Sequence, residues 1–177
     1  MLTLAIEQSS VRGSVALLRD EDVIASRDWE VTWRQPQQLF AMLQAVLKQA
    51  GVVPSAIEAY AAGLGPGSFS GCRVAVSVAR ALALPGGVRV FGLSSGDALA
   101  FDLFAATGAD TVAVAGDARR NHVWLGHFAR GERWPVMTRP WTLQPVEQLS
   151  TELAGAAQVV SPDWDRLAPV LKHACPA

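Results

Sequence analysis

The residues whose types and spacing could do chemistry are concentrated in Gly65-Pro66-Gly67-Ser68-Phe69-Ser70-Gly71. Glycines there let the backbone turn with positive φ and approach another surface closely. Ser68 and Ser70 are suited to cap a helix start, where free N–H groups and the helix dipole favour an anion. A phosphate-binding loop and a tight strand-to-helix connection both fit this composition. A Walker loop does not, because no Lys-Ser or Lys-Thr pair follows the glycines, and the G-x-G-x-x-G spacing is approached but not met.

A second group is the carboxylates Glu7 and Asp117, with Ser9 beside the first. They follow equivalent apolar runs and are candidates for a metal-nucleotide pocket of a phosphotransferase. They read equally as ordinary strand-end residues. Zinc chemistry needs three or four suitably spaced ligands. Only His122, His127 and His173 are available, no HExxH occurs, and His122 and His127 are an odd number of positions apart, on opposite faces of a strand. No metal site is expected. Ser68 and Cys72 have no histidine near them in sequence to activate a nucleophile. Cys72 and Cys175 stand far apart and in no CxxC spacing, as unpaired thiols of a reducing compartment do.

The elements that must position these groups follow from hydrophobic periodicity. Leu2 to Ile6, Ser14 to Leu18 and Val23 to Val31 read as three strands joined by tight turns, an antiparallel meander. Pro36 suits a first helical turn, and Leu39, Leu43, Val46, Leu47 and Ala50 recur at helical spacing up to Gly51, a C-terminal stop. Ala59 to Leu64 is a strand entering the glycine motif, and a helix runs from about Gly71 to Leu84. Val88 to Leu93 is a strand, and Ser94 or Ser95 caps a helix reaching Ala106. Thr111 to Ala115, His122 to Ala129 and Arg133 to Thr138 are further strands. Short helices at Pro145 to Ala154 and Trp164 to His173 flank a strand at Gln158 to Ser161.

The helix after the motif has one narrow polar stripe, Arg73, Ser77 and Arg80. Val74, Val76, Val78, Leu82, Leu84 and alanines cover the rest, so the pattern demands burial on most of the circumference. Full burial of those five Val and Leu residues contributes on the order of 10 kcal/mol. A second subunit or the interior of one domain can supply that burial.

Thr3-Leu4-Ala5-Ile6 echoes Thr111-Val112-Ala113-Val114, 108 positions on, and the same offset places Val15 on Val123 and Leu17 on Leu125. A duplicated βββαβα unit of the actin/Hsp70/hexokinase (ribonuclease H-like) class accounts for the echo, with lobes at 1–107 and 108–177. Half of the 177 residues are apolar, 18% are charged and the net charge is −1. That composition excludes disorder and lacks the basic excess of a protein that grips nucleic acid unaided. The six tryptophans are scattered without a basic stripe, as packing residues are. With neither a basic n-region nor a membrane-length apolar run, the chain reads as cytoplasmic.

Four co-linear segments then carry a resemblance. Gly65 to Ala75, GPGSFSGCRVA, resembles the GPGSFTGLRIG signature of the TsaB (YeaZ) family, with Ser70 for threonine and Cys72 for leucine. Leu93 to Ala100 is similar to its VSSLEALA segment, and Asp117-Ala118-Arg119-Arg120 with Val123-Trp124 to its DARRGEVYWA hairpin. The opening strand and Gly13 to Leu17 are similar to LAIDTS…SVALL. Glu7-Gln8-Ser9 departs from the family's Asp-Thr-Ser, Trp33-Arg34-Gln35 replaces His-Ser-Glu, and the region after Thr138 matches little, as in a shortened second lobe.

The resemblance implies a non-catalytic scaffold, without cofactor, for a TsaD-type enzyme that transfers threonylcarbamoyl to tRNA adenosine. A TsaE-type ATPase joins them, and tRNA is met only through the complex. It places the partner surface on Leu39, Leu43 and Leu47 of the first helix and on Arg73, Val74, Ser77, Val78, Arg80 and Leu82 of the motif helix. Alone, such a surface favours a homodimer. The alternative is an actin-like ATPase or kinase using Glu7 and Asp117.

Overall fold

The computed structural model describes residues 1–32 and 37–174. Trp33-Arg34-Gln35, Pro36 and Cys175 lie outside the described residues. The chain divides into two compact units, Met1–Leu93 and Ser94–Ala177.

In the first unit, β1 (Leu2–Glu7), β2 (Arg12–Arg19) and β3 (Asp22–Glu30) form the meander. They are followed by α1 (Gln38–Ala50), β4 (Ala59–Gly63), α2 (Phe69–Ala83) and β5 (Arg89–Leu93). The sheet order is β3-β2-β1-β4-β5, with β4 parallel to β1 and β5 parallel to β4. Alternation on β1 sends Leu2, Leu4 and Ile6 to one face, where they meet Val15 and Leu17 of β2. Leu39, Leu43 and Val46 of α1 and Ala75, Ala79 and Ala83 of α2 join the same core. Helix α1 stops where expected: Gly51 sits at φ 65° and its N–H donates to the Lys48 carbonyl.

The second unit begins with α3 (Ser95–Thr107). Ser94 caps it by accepting the Asp97 N–H at 3.2 Å while donating its hydroxyl to the Asp97 carboxylate at 2.6 Å. Then come β6 (Thr111–Arg119), β7 (His122–Ala129), β8 (Val136–Pro145), α4 (Leu149–Glu152), β9 (Gln158–Val160) and α5 (Trp164–Ala174). The sheet order is β8-β7-β6-β9, with β9 parallel to β6. One face packs on Leu149, Leu153, Leu167 and Leu171 of α4 and α5, the other on Ala100 and Phe104 of α3. Each unit repeats βββαβα, and the second sheet has four strands against five.

Two differences from the sequence reading have physical causes. The repeat puts a lobe boundary near residue 108, whereas the contacts divide the chain one helix earlier, because Ala100 and Phe104 bury against Val112, Val114 and Phe128 of the second sheet. The strand expected at Arg133 to Thr138 runs instead from Val136 through Pro145. Trp141 is held edge-on between Trp124 and Phe128 of β7, each at 5.5 Å, which extends the pairing.

Candidate functional site

The glycine motif is the passage from β4 into α2, which starts at Phe69, two residues before the expected start. Ser68 is the N-cap, its Oγ accepting the Gly71 N–H at 3.2 Å, while Ser70 lies inside the first turn of the helix. Facing the loop is the main chain of Gln8 and Ser9, just after β1. The Ser68 N–H donates to the Ser9 carbonyl at 2.6 Å. A Cβ on Gly67 would lie 2.0 Å from the Ser9 oxygen, and one on Gly71 would lie 1.8 Å from the Gln8 oxygen. Main chain fills this space, so glycine is required at both positions. The motif seats the start of α2 on the chain's own backbone, and two N–H groups that a phosphate would use are engaged internally.

Glu7 ends β1, and its carboxylate accepts the Ser9 N–H. It occupies the room left by Gly63, where a Cβ would be 1.9 Å from Oε2. Ser9 is buried with both main-chain polar groups used. Asp117 lies on β6. Burial opposes its charge, but the Arg119 N–H at 2.7 Å and the guanidiniums of Arg166 at 2.8 Å and Arg119 at 3.4 Å prevail, holding the carboxyl below its ordinary value. A carboxylate matched by two arginines has little left to offer a divalent cation. Among the described residues, no group of three or more His, Cys, Asp or Glu is placed to hold a metal ion.

The residues predicted to meet a partner separate into two sets. Leu39 and Leu43 are 2% and 5% exposed, committed to the core of their own unit, and Leu47 packs against that core. Their helical spacing marked the inward stripe of α1, and Leu39 and Leu43 are too deeply buried to meet a partner; the outward one carries Phe40, 52% exposed, and Gln44. On α2, Arg73, Val74, Ser77, Arg80 and Leu82 are all exposed, while Val78 is half-buried against the core. Of the two sources expected to bury most of the α2 circumference, the interior of its own unit does not supply that burial. The helix buries a stripe of alanines, Ala75, Ala79 and Ala83, and leaves Val74, and Leu84 just past its end, 42% and 81% exposed. Phe69 stands at the start of this face with the Arg73 guanidinium 5.4 Å from its ring centre.

The chain matches the family model of the TsaD tRNA N6-adenosine threonylcarbamoyltransferases over residues 34–134. It is 32% identical over 169 residues to the tRNA threonylcarbamoyladenosine biosynthesis protein TsaB of Escherichia coli (strain K12), an alignment covering 93% of this chain and 72% of that protein. The chain belongs to the TsaB (YeaZ) family. Its fold agrees, with a TM-score of 0.81, with the crystal structure of an uncharacterized Pseudomonas aeruginosa protein similar to peptidase YeaZ. That likeness has 29% identity and covers 99% of this chain and 80% of the other. A likeness in fold alone extends to component A of the Acidaminococcus fermentans (R)-2-hydroxyglutaryl-CoA dehydratase, with a TM-score of 0.52 and 13% identity over 88% of this chain and 55% of that one. The duplicated units are those of the actin/Hsp70/hexokinase-like class.

This TsaB-family chain also holds a polar cluster that motif reading missed. Asp163 is buried directly before α5, and its carboxylate accepts the Asp117 N–H at 2.9 Å. Its carbonyl accepts two N–H groups of the first turn of α5, from Arg166 and Leu167, and burial lifts its carboxyl above the ordinary value. The available signal was Ser161-Pro162-Asp163 ahead of an apolar-periodic segment, which says helix start but not which strand it clamps. At the β6–β7 turn, Arg119, Arg120 and Asn121 all have positive φ. The His122 Nδ1–H donates to the Arg120 carbonyl at 2.8 Å. His127 is half-buried near Arg139, and burial lowers its pKa, with no ligand set around it among the described residues.

Proposed function

We propose that this chain is the non-catalytic scaffold subunit that binds and supports a TsaD-type enzyme during threonylcarbamoyl transfer to tRNA adenosine, in the cytoplasm. The carrying observation is the outer face of α2, where Val74, Leu82 and Leu84 remain exposed although the helix has a complete inward stripe. Solvated apolar residues along one helix, edged by Arg73, Ser77 and Arg80, suit a helix of another subunit. Phe40 on α1 is a further exposed apolar residue of the same unit. The candidate catalytic carboxylates support the reading from the other side. Glu7 holds a main-chain N–H and Asp117 is matched by arginines, so neither presents an open charge for metal-nucleotide chemistry. A TsaE-type ATPase joins the assembly, tRNA is met only through it, and the isolated chain pairs with itself through the same helix.

The test is co-purification with the TsaD protein of the same organism, with Val74→Asp as the disrupting variant. Val74 is exposed, whereas Val78 touches the core, so loss of binding in Val74→Asp reports the interface and not the fold. A complex that survives the substitution moves the interface elsewhere. Absence of any complex, together with tight ATP binding by the chain alone, overturns the scaffold reading in favour of a phosphotransferase.

A further inference from the structure

A groove of about 440 Å³ in the first unit lies between α2 and β5 and shares Arg80 and Leu84 with the surface assigned above to the scaffold's partner. Leu64, Val76, Ala83, Leu84, Val88 and Val90 line it. Arg80 is the one charged residue among the lining residues, and it is exposed. Its guanidinium has no ion pair or hydrogen bond among the described residues. The apolar walls and the lone cation make the groove complementary to an apolar ligand bearing one negative charge.

The strand beside it fixes the ligand's shape. β5 ends the sheet order and all five of its residues are exposed. The Leu64 N–H donates to the Leu93 carbonyl at 2.8 Å, and Gly63 pairs with Leu93. In a parallel ladder alternate residues bond to one neighbour and the others to the opposite side. Leu93, Phe91 and Arg89 therefore spend their main-chain groups on β4, and Val90 and Gly92 direct theirs to the open edge. Val90 and Gly92 pair with Tyr60 and Ala62, which belong to the α2-side core. The open hydrogen-bonding edge and the groove thus adjoin the same two residues of β5.

We propose that this edge and groove dock an extended peptide segment of a partner protein, which adds as a strand beside β5, sends an aliphatic side chain among Val76, Val88 and Val90, and sets an acidic side chain on Arg80. Side chains of a strand alternate, so the aliphatic and acidic residues stand two apart on one face of the segment. A basic residue at the acidic position meets Arg80 and is rejected.

The probes are two capped, fluorescein-labelled heptapeptides, TVTETVT and TVTKTVT, titrated into the full-length chain and read by anisotropy. The expected result is binding of the Glu peptide at least about tenfold tighter than the Lys peptide. The Val90 and Gly92 amides should shift in the ¹H–¹⁵N spectrum and gain exchange protection. Arg80→Glu, whose folding is verified by its otherwise unchanged spectrum, should invert the preference. Equal affinity for both peptides, no binding of either, protection away from β5, or an unchanged preference in Arg80→Glu overturns the proposal. So does a dimer in which Val90 and Gly92 are already protected without peptide, since a second copy then fills the edge.

Discussion

Helices α2 and α5 follow β4 and β9, the parallel strands laid beside β1 and β6, and so hold equivalent places in the duplicated plan. They spend their side chains in opposite ways. Helix α5 buries Leu167 and Leu171 and turns Asp165, Arg166 and Lys172 to solvent. Helix α2 fully buries only alanines, packs Val76 and Val78 partly against the core, and turns Val74 and Leu82 outward. Small inward residues let α2 lie close to its sheet, and the hydrophobic capacity that α5 uses at home is left on the α2 surface. The same topology therefore yields one helix that buries its leucines and one that leaves apolar residues on its surface.

The start of α2 should show the largest effect. Gly71→Ala drives a Cβ into the Gln8 carbonyl, where no side chain can move aside, and should cost at least about 3 kcal/mol or prevent folding. Urea unfolding followed by the amide signals of β1 reads this first unit. Leu171→Ala should cost about 3 kcal/mol, because Leu171 is fully buried, and Leu82→Ala on α2 less than about 1 kcal/mol. Equal costs would erase the contrast between the helices.

Asp117→Asn, which removes the carboxylate held by Arg166 and Arg119, should cost about 2 kcal/mol near neutral pH. The lowered pKa of Asp117 makes its contribution complete above the ordinary value of 3.8 and lost as pH falls through the lowered value. The Tm gap between wild type and Asp117→Asn should therefore close below pH 3.8. Asp163 acts in the opposite sense: its raised value withdraws stability as pH climbs from 3.8 through that value, so Asp163→Asn should flatten this part of the profile. The smallest change belongs to Val74→Asp, within about 0.5 kcal/mol by thermal melting, although the same variant should lose its partner.

Strands with a buried face, Gly51 as a helix stop and Ser94 as a cap were legible because each rests on local periodicity or one local hydrogen bond. The role of the glycine motif was only half legible. Its tight turn is written in its composition, but its seat on Gln8 and Ser9 depends on a chain segment more than fifty residues away. The partner surface failed at Leu39 and Leu43 because an apolar stripe has the same period whether it faces a core or a subunit. Asp163 stayed hidden for a related reason, since a capping residue shows its type in sequence and its strand partner only in space.

The seat of α2 on Gln8 and Ser9 bears on what substitution can reach. What lies against the helix start is a pair of carbonyl groups, and every amino acid carries a carbonyl. No single exchange of side chains at residues 8 or 9 can empty that place for a phosphate. Restoring an anion site there would require the β1–β2 connection to be re-routed, by insertion or deletion, and not merely respelled.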